Sequence, residues 1–459
     1  MQTSWRFWRQ PVCYIRKNFR EFVETGKEDR IMIYEEARKY MAGKPGEIHL
    51  SLDRIRVLLE RLGSPEKKLR FIHIAGTNGK GSTANFLYAA FVEAGYNPGL
   101  FTSPVVFEYG EQFRCMKGLI TTEEYCEIAD RLKAETDRME QSGIPCPSSF
   151  ELETCMAFLY FLHEHCDPVI LECGMGGEND ATNVIPAPVL AVFTPISLDH
   201  SAWLGSTIEE IAGVKAGIIK KGCRVISGCQ EDGVLEVLEQ KASAVGAAFV
   251  RTGYCEPGNS CIYRGLTLKP GIPGICQIQN AAAAADALLE WGACIAPIPR
   301  QAIESGIAKA SLPGRFMKAA EDPDFIVDGA HNPGAAKRLR EYIEALPSIT
   351  GKTYNRTILV AGIFKDKDYR SVFSTVLPLA DEVITVATPG NERALPAEEA
   401  AAEAARFVKS VRACRSVEEA VDSAYSMADP GDLIISFGSL SNIKAIIDRV
   451  KLHSESRQK

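Results

Sequence analysis

A segment of glycine, lysine and hydroxyl residues follows the first strongly apolar run of the chain. The segment reads GTNGKGST and covers residues 76–83, and the run FIHIA before it predicts a buried strand. Backbone N–H groups in such a turn can converge on one point, the helix that follows adds a positive dipole, and Lys80 adds a mobile cation. Together these features predict a site for a phosphate group. A strand-to-helix turn that only needed glycine is the alternative, but it would require neither the lysine nor the hydroxyls.

The loop is shorter than the standard phosphate-binding loop, in which four residues separate the first glycine from Gly-Lys-Ser/Thr. Here two residues separate Gly76 from Gly79, and Gly81 stands between Lys80 and Ser82. The physical requirements are still met, because glycine permits close approach of the backbone to an anion. The helix dipole contributes only about 0.3–1 kcal/mol, so the N–H groups and Lys80 must supply most of the binding free energy. The segment indicates a nucleotide phosphate and leaves its chemical use open.

Two later segments place a carboxylate and a histidine directly after predicted strands. In VILECGMGG (169–177) the strand ends at Glu172 and a glycine-rich turn follows, and in TPISLDH (194–200) another strand leads to His200. The carboxyl ends of parallel strands share one edge of a sheet, where ligands bind in open α/β folds. Mg²⁺ takes one or two carboxylates together with phosphate oxygens and water, so Glu172 is a candidate ligand. A capping acid and a structural histidine are the alternatives for the two residues taken singly.

The composition excludes several classes of protein. The 459 residues, 46% hydrophobic and 24% charged, are enough for two or three globular domains. A net charge of -7 argues against a general nucleic-acid binder, which would present a basic face. No apolar run reaches about 18 residues, the length that crosses a bilayer. The 14 cysteines are irregularly spaced, which is typical of reduced thiols, and we therefore expect a cytoplasmic protein.

Residues 1–31 are predicted to be an extension outside the fold. They mix Trp, Phe and Arg with acidic residues, whereas a transit peptide is poor in acids and a secretory signal has an apolar core. The segment MIYEEARKYMA (32–42) then begins a helical pattern that suits the first element of a domain. The alternative is that residues 1–31 come from an upstream start codon wrongly assigned.

Apolar runs bounded by turns alternate with helical patterns, which predicts parallel sheets with crossover helices. The fold class is therefore α/β, with a P-loop-type, mostly parallel domain at 32–311 and a smaller Rossmann-like domain at 312–459, divided near SLPGR (311–315). Short antiparallel strands at a sheet edge are expected within 253–276. Predicted strands are 71–75, 98–102, 169–173, 189–195, 224–227, 325–328, 357–361, 382–387 and 432–437, and predicted helices are 82–94, 122–141, 150–165, 207–219, 280–292 and 397–407.

These segments, together with several later ones, resemble the folylpolyglutamate synthase and dihydrofolate synthase branch of the Mur ligase superfamily. The resemblance runs from about residue 32 to about residue 450, and the order and spacing of its pieces are specific although no single piece is decisive. The matching segments are HIAGTNGKGS (73–82), LFTSP (100–104), LECGMGG (171–177), DATN (180–183), LDH (198–200), LGSTIEEIA (204–212), KAGIIK (215–220), QIQN (277–280), LPGRF (312–316), DGAHNP (328–333) and GIFKDKD (362–368).

The resemblance implies an ATP-dependent ligase that joins the γ-carboxylate of a folate to L-glutamate, with two Mg²⁺ sites and a monovalent cation as a further candidate. It implies small-molecule substrates, no nucleic-acid or membrane partner, and a monomer. The catalytic set would be Lys80, Glu172, His200, Lys215 and His331. The metal set would be Ser103, Glu172, His200 and an N-carboxylated Lys215. ATP would contact Thr77, Asn78, Gly79, Lys80, Gly81, Ser82, Asn280, Arg315, Asp328 and His331, and pteroate would contact Asp53, Arg54, Phe150, Glu151, Asn179, Asp180 and Ala181.

The chain departs from the family pattern at four places, all outside the ATP and metal positions. The usual Ser-Pro-His-Leu reads Ser-Pro-Val-Val (103–106), and the following Glu-Arg reads Glu-Gln (111–112). The usual Gly-Gly-Arg ends in Glu178, and Val214 replaces the Glu before the lysine of KAGI. Three interpretations stay open: a folylpolyglutamate synthase that could also be a dihydrofolate synthase, a related ligase with another carboxylate acceptor, and a non-catalytic nucleotide- or folate-binding homologue.

Overall fold

The computed structural model describes residues 32–43 and 51–457, so the predicted extension of residues 1–31 lies outside the described part. Two α/β units follow one another along the chain, each built on its own mostly parallel sheet. We call the elements up to residue 309 the N-terminal unit and those from residue 317 onward the C-terminal unit. This architecture confirms the predicted fold class, whereas the boundary between residues 311 and 312 stays a prediction.

Eight strands form the main sheet of the N-terminal unit: β1 (Phe71–Ala75), β2 (Gly99–Phe101), β3 (Phe113–Cys115), β4 (Gly118–Leu119), β5 (Val169–Glu172), β6 (Leu190–Phe193), β7 (Arg224–Ser227) and β8 (Ala248–Arg251). Their spatial order is β4-β3-β2-β5-β1-β6-β7-β8. The six strands from β2 to β8 in this order are parallel, and β3 and β4 join one edge antiparallel. The central strand β1 is buried along its whole length, which explains its nearly continuous apolar sequence.

Helices cover both faces of this sheet, and a separate hairpin adds to one of them. The helices are α1 (Tyr34–Met41), α2 (Asp53–Arg61), α3 (Lys80–Glu93), α4 (Thr122–Gln141), α5 (Ser149–His163), α6 (Ser201–Leu204), α7 (Ile208–Lys215), α8 (Asp232–Val245), α9 (Gln277–Cys294) and α10 (Arg300–Lys309), and the hairpin is β9 (Cys261–Tyr263) with β10 (Leu266–Leu268). One apolar core joins β1 to α2, α4 and α5, and another joins it to α3, α9 and α10. Thr121 and Ser148 cap α4 and α5, each with a glutamate three residues on that returns the hydrogen bond.

The C-terminal unit repeats the layered design on a smaller scale. Its strands are β11 (Met317–Ala320), β12 (Asp324–Val327), β13 (Thr357–Ala361), β14 (Glu382–Val386), β15 (Ser410–Cys414) and β16 (Leu433–Phe437), and its helices are α11 (Pro333–Thr350), α12 (Tyr369–Val376), α13 (Ala397–Ala404), α14 (Val417–Met427) and α15 (Ile443–Arg457). The strand order is β11-β12-β16-β13-β14-β15, with only β11 antiparallel to its neighbour. Two apolar clusters fill the two faces of the sheet.

The sequence located buried strands well and edge strands poorly. The strands predicted at 71–75, 224–227 and 357–361 have the observed bounds. The strands that sequence reasoning missed (β3, β4, β8, β11 and β15) lie at or next to sheet edges. In β8, β11 and β15 exposed side chains interrupt the apolar pattern, and β3 and β4 are only three and two residues long. Short antiparallel strands were expected at a sheet edge within 253–276. They form a separate two-stranded sheet instead, whose apolar side chains pack in one core with α9 and α10.

None of the helices in the described part of the chain has the length and apolar character required to span a bilayer.

The position of the glycine-rich loop depends on how α3, which follows it, packs against α10. A Cβ atom added to Gly306 of α10 would lie 2.2 Å from the Cα of Ala90 in α3, so glycine alone fits this contact. We expect Gly306→Ala to lower the free energy of unfolding by about 1–3 kcal/mol, because the two helices would have to separate. Urea denaturation followed by circular dichroism measures this change.

Gly213→Ala is the matched control for this variant. Gly213 lies in α7, and a Cβ atom added there would meet nothing within 4 Å. We expect it to raise the free energy of unfolding by about 0.4–1 kcal/mol, because alanine restricts the unfolded chain. Equal effects of the two substitutions would contradict the packing argument.

Candidate functional site

A cavity of about 350 Å³ lies at the carboxyl edge of the N-terminal sheet and extends to the C-terminal unit. Strands β1, β2, β5 and β6 all end at this edge, and the segment after β12 closes the opposite side. The cavity therefore gathers side chains that are far apart in the sequence. The predicted ATP and metal positions among its lining residues are Thr77, Asn78, Gly79, Lys80, Gly81, Ser82, Ser103, Glu172, His200, Lys215, Asn280, Arg315, Asp328 and His331.

The loop between β1 and α3 is braced by the residues that follow β6. The N–H groups of Thr77 and Asn78 donate to the carbonyl of Pro195 at 3.0 and 3.2 Å. The Thr77 hydroxyl donates to the Ser197 carbonyl at 2.9 Å. These N–H groups are therefore engaged within the protein. The N–H groups of the first turn of α3, which begins at Lys80, have no partner within the helix and border the cavity.

Gly79 is required by both conformation and space. Its φ of 92° lies in the left-handed region, and a Cβ atom there would lie 2.4 Å from Oδ1 of Asn280. Asn280 is buried in the first turn of α9, where its Nδ2 donates to Oε1 of Gln277 at 2.8 Å. The close approach of loop and helix fixes the height of the loop above the sheet.

Two lysines converge beside this loop. Lys80 Nζ donates to the carbonyls of Gly76 and Thr77 at 3.2 and 3.4 Å, and Lys215 Nζ donates to the same Gly76 carbonyl at 2.9 Å. Burial, and secondly the charge of Lys80, lowers the pKa of Lys215 to about 7. A substantial fraction of the Lys215 side chains therefore carries a neutral, nucleophilic amine at neutral pH.

Glu172 brings a buried carboxylate to the same place. Burial raises its pKa to about 7, and the charges of Lys80 and Arg315 together with the N–H of Ser103 act in the opposite direction. The carboxylate is 5% exposed, so its charge is held away from bulk water. Binding of a cation or a proton therefore stabilises this carboxylate more than it would an exposed one.

His200 adds an imidazole at the end of the segment after β6. It adopts a left-handed backbone conformation, with a φ of 52°, which is uncommon for a residue with a side chain and is often found at functional sites. Burial lowers the pKa of His200, with smaller effects from neighbouring charges. The ring is therefore predominantly neutral and can offer a lone pair.

The C-terminal unit contributes a second set of polar groups. Asp328 follows β12 and accepts hydrogen bonds from the N–H groups of Phe316 at 3.0 Å and Ala330 at 2.8 Å. His331 donates through Nδ1 to the carbonyl of Gly329 at 2.8 Å, because a carbonyl can only accept. Burial lowers the pKa of His331 to about 4, so its ring is neutral and Nε2 is an acceptor.

The residues predicted to contact pteroate are outside the lining of this cavity. Arg54 and Glu151 pair with each other at 2.9 Å in a buried position, and Asp53 is exposed at the start of α2. Phe150 packs its ring against Gly174, which does line the cavity. Asn179 is exposed. Ala181 is buried, and the Asp180 carboxylate accepts from the N–H groups of Met175 and Thr182 at 2.7 and 3.0 Å.

The departures from the family pattern at 103–106 and 111–112 form one loop. The Glu111 carboxylate accepts from the N–H groups of Val106, Phe107 and Glu108 at 3.1 to 3.3 Å. Val106 and Phe107 then pack against an apolar cluster of the C-terminal unit. Gln112 is buried and donates its amide to Glu153 at 3.5 Å. This loop therefore joins the two units beside the cavity.

The other two departures have different surroundings. Glu178 is exposed, although its backbone packs closely against Gly217. Val214 packs its side chain against Gly176 in the glycine-rich turn after β5.

Sequence reasoning missed several residues at the cavity. Asp199 and Arg338 line it, and Lys367 contacts Asp199. Arg338 lies three residues after Ala335 on α11, and this helical spacing could have placed both on the cavity side. Asp199 stands next to His200, which was a usable signal. Lys367 lies in GIFKDKD (362–368), which is one of the segments that resemble the family, but its charged run KDKD is typical of a solvated loop and assigned no role to the lysine.

Comparison with known proteins agrees with this geometry. Residues 314–440 match the family described as Mur ligase, glutamate ligase domain. The dihydrofolate synthase/folylpolyglutamate synthase of Bacillus subtilis is 35% identical over 373 residues, which are 76% of this chain and 84% of the relative. The chain belongs to the folylpolyglutamate synthase and dihydrofolate synthase family. A second family member, from Escherichia coli, is 31% identical over 409 residues, which are 87% of this chain and 92% of the relative.

Solved structures of the folylpolyglutamate synthase family share the fold over nearly their whole length. The folylpolyglutamate synthase of Mycobacterium tuberculosis complexed with ADP and AMPPCP gives a TM-score of 0.81 at 29% identity, covering 92% of this chain and 99% of that one. FolC of Escherichia coli in complex with DHPP and ADP gives 0.80 at 29% identity, covering 93% and 99%. The arrangement of the two sheets is thus that of enzymes of this family solved with nucleotide.

Glu153 is a buried acid beside the loop at 103–112, and its titration offers a test of how strongly its surroundings exclude water. Glu153 accepts hydrogen bonds from the hydroxyl of Tyr109 and the amide of Gln112, and burial raises its pKa. The folded protein therefore holds this proton more tightly than the unfolded chain does. The stabilising contribution is present at low pH and is lost as the pH rises through the raised pKa.

We expect Glu153→Gln to become more stable relative to the parent protein as the pH rises above the ordinary pKa of a glutamic acid, because the amide cannot ionise. Urea unfolding at a series of pH values measures the difference in free energy of unfolding. Glu127→Gln, on the exposed face of α4, is the control and should show no such trend. The same pH dependence in both variants would contradict the assigned burial effect.

Proposed function

We propose that this chain forms an amide bond between the γ-carboxylate of a folate and the amine of L-glutamate, with ATP converted to ADP and phosphate. As a member of the family it is an ATP-dependent, ADP-forming ligase. The observation that carries the proposal is the single cavity, in which the loop at Lys80, the carboxylate of Glu172 and the groups of the C-terminal unit face one another. Such an arrangement can hold a triphosphate beside an acid that is to be activated.

The first turn of α3 and Lys80 would bind the phosphates of ATP. Unpaired N–H groups at a helix N-terminus and a flexible ammonium group suit the β- and γ-phosphates. Thr77 and Asn78 have their N–H groups engaged by Pro195, so they would position the loop through its internal hydrogen bonds. Asn280, Arg315, Asp328 and His331 would contact the rest of the nucleotide from the other side of the cavity.

The donor set of the cavity fits divalent magnesium. Ser103 offers a hydroxyl oxygen, Glu172 a buried carboxylate whose charge lacks solvation, and His200 a neutral imidazole. Ser103 and Glu172 would hold one ion, and His200 with a modified Lys215 would hold a second. When bound, magnesium supplies charge neutralisation between the phosphates and the substrate carboxylate.

Lys215 is suited to become a carbamate. Its lowered pKa supplies the neutral amine, which can attack carbon dioxide to give an N-carboxylate with release of one proton. This reaction would turn a buried cation into an oxygen ligand for the second ion. The buried environment favours it, because an unpaired ammonium group beside Lys80 is costly there.

The reaction itself then depends mainly on how the substrates are positioned and how their negative charge is stabilised. The folate carboxylate attacks the γ-phosphorus, ADP leaves, and an acyl phosphate forms. The amine of glutamate attacks the acyl carbon, phosphate leaves with the former carboxylate oxygen, and the ammonium proton is released. Lys80 would offset the negative charge that otherwise keeps carboxylate and γ-phosphate apart.

A second candidate is a ligase with the same ATP chemistry and another carboxylate acceptor. The loop at 103–112 favours it, because Gln112 replaces the arginine of the family pattern and is buried against Glu153. The presence of Glu172, His200 and Lys215 in one cavity argues against a non-catalytic nucleotide- or folate-binding homologue, since such a protein would not require all three.

One assay separates these functions. Release of ADP is measured with tetrahydrofolate, with dihydropteroate or with neither, each with and without L-glutamate. Turnover that requires glutamate and tetrahydrofolate supports the folylpolyglutamate synthase, and turnover with dihydropteroate adds dihydrofolate synthase activity. Absence of turnover with both pterins, although ATP binds, would contradict the proposed acceptor.

Two substitutions test the proposed residues in the same assay. We expect Lys80→Ala and Glu172→Ala each to reduce kcat by about a hundredfold or more, because each removes a charge that acts on the transferring phosphoryl group. Circular dichroism should show that the fold is kept. Lys241→Ala, on an exposed part of α8, is the control and should retain normal turnover. Near-normal rates for Lys80→Ala or Glu172→Ala would contradict its role.

A further inference from the structure

A small polar cluster joins the two units at the rim of the cavity. Asn78 and Asn332 exchange two hydrogen bonds between their side-chain amides, at 3.1 and 3.2 Å. Asn332 Nδ2 also donates to Oδ2 of Asp199 at 3.1 Å. Lys367 Nζ donates to Oδ1 of Asp199 at 2.8 Å and lies 3.3 Å from Nε2 of His200. Every one of these contacts crosses from one unit to the other.

The ion pair in this cluster is shielded from solvent. The side chain of Lys367 is 9% exposed and that of Asp199 is 10% exposed. The two oxygens of the Asp199 carboxylate are both engaged across the boundary, Oδ1 by Lys367 and Oδ2 by Asn332. The attraction within such a pair is offset by the cost of removing both charges from water, but loss of one partner leaves the other charge buried without compensation, which is strongly destabilising.

Each partner is attached to an element that builds the cavity. On the N-terminal side, Asn78 lies in the loop before α3 and Asp199 precedes His200. On the C-terminal side, Asn332 caps α11 by accepting from the N–H of Ala335 at 2.9 Å. Lys367 lies in the loop between β13 and α12. The cluster can form only when the two units stand as close as they do here.

We propose that Lys367 is a positioning residue whose ion pair with Asp199 holds the C-terminal unit closed over the nucleotide cavity. The inference rests on the proposed function, since closure matters when ATP contacts both units. It assigns Lys367 no contact with substrate. Lys367 acts through Asp199 and the asparagine pair, which bring Asp328 and His331 opposite the loop at Lys80.

Lys365 offers a matched control in the same loop. It lies two residues earlier and is exposed, and its N–H donates to the carbonyl of Arg393 at 2.8 Å. Both lysines can be replaced by methionine, which keeps the length of the side chain and removes the charge. Lys367→Arg restores the positive charge and its donors.

The test measures closure and nucleotide binding without turnover. Small-angle scattering of the full chain with and without ADP reports the radius of gyration, and calorimetry reports the Kd for ADP in the presence of magnesium. For Lys367→Met we expect a larger radius with ADP and a Kd raised about ten- to a hundredfold, the effect of losing a hydrogen bond to a charged group. Lys365→Met should match the parent protein, and Lys367→Arg should recover most of the affinity.

A double substitution tests the pairing itself. If Lys367 acts through Asp199, adding Asp199→Asn to Lys367→Met raises the Kd no further than Lys367→Met alone does. Additive losses would overturn the proposal. So would an unchanged radius and Kd, and so would a rise confined to the KM for glutamate, which would mean that Lys367 contacts the amino acid. Failure of the parent protein to ligate folate would overturn the proposed function, whereas the scattering and ADP measurements would still decide on closure.

Discussion

The structure depends on the concentration of unlike charges in a site that excludes most water. Glu172, Lys80 and Lys215 are brought together by the ends of strands and by the helices that follow them. Removal of charged groups from water is costly unless they are paired, so this arrangement costs stability in the empty protein. The raised pKa of Glu172 and the lowered pKa of Lys215 express that cost. In the proposed function, a bound triphosphate with magnesium ions would supply the charges that compensate those of the site.

The same constraint explains why the enzyme has two units. In the proposed function the N-terminal unit alone would hold the phosphoryl group, through the N–H groups of the first turn of α3, while the N–H groups of Thr77 and Asn78 brace the loop through the Pro195 carbonyl. Exclusion of water from the reacting carboxylate requires a second wall. The C-terminal unit would provide it with Asp328 and His331, which line the cavity and are each fixed by hydrogen bonds to nearby backbone groups. The contacts of Asn332 and Lys367 then determine how firmly this wall is held.

The sequence predicted the elements and residues whose structural role depends on their immediate neighbours in the chain. Strand β1 and the loop at Lys80 could be located because a buried parallel strand is apolar throughout and a phosphate turn needs glycine at fixed places. The placement of Glu172 and His200 at one edge followed from the rule that parallel strands end there, whereas Lys215 came from the resemblance to the family. The resemblance to the family then supplied Asn280 and the residues of the C-terminal unit.

Other features depended on contacts that no local pattern contains. Strands β8 and β15 carry exposed side chains at sheet edges, so their sequences lack the apolar signal. The pairing of Arg54 with Glu151 joins residues 97 positions apart, so no local pattern predicts it, and their contact with pteroate stays a prediction from the resemblance. Lys367 lies in a charged run and becomes buried only because a second unit covers it. The burial of Lys367 is therefore recognised only when the two units are seen together.

The central claim is that this cavity transfers the γ-phosphoryl group to a carboxylate oxygen of the acceptor. The most direct measurement uses tetrahydrofolate labelled with ¹⁸O in both oxygens of its γ-carboxylate, together with ATP and L-glutamate, followed by mass spectrometry of the released phosphate. The account predicts one ¹⁸O atom in phosphate for each amide formed, with the other retained in the amide. Phosphate that carries no ¹⁸O while the amide is formed would contradict it.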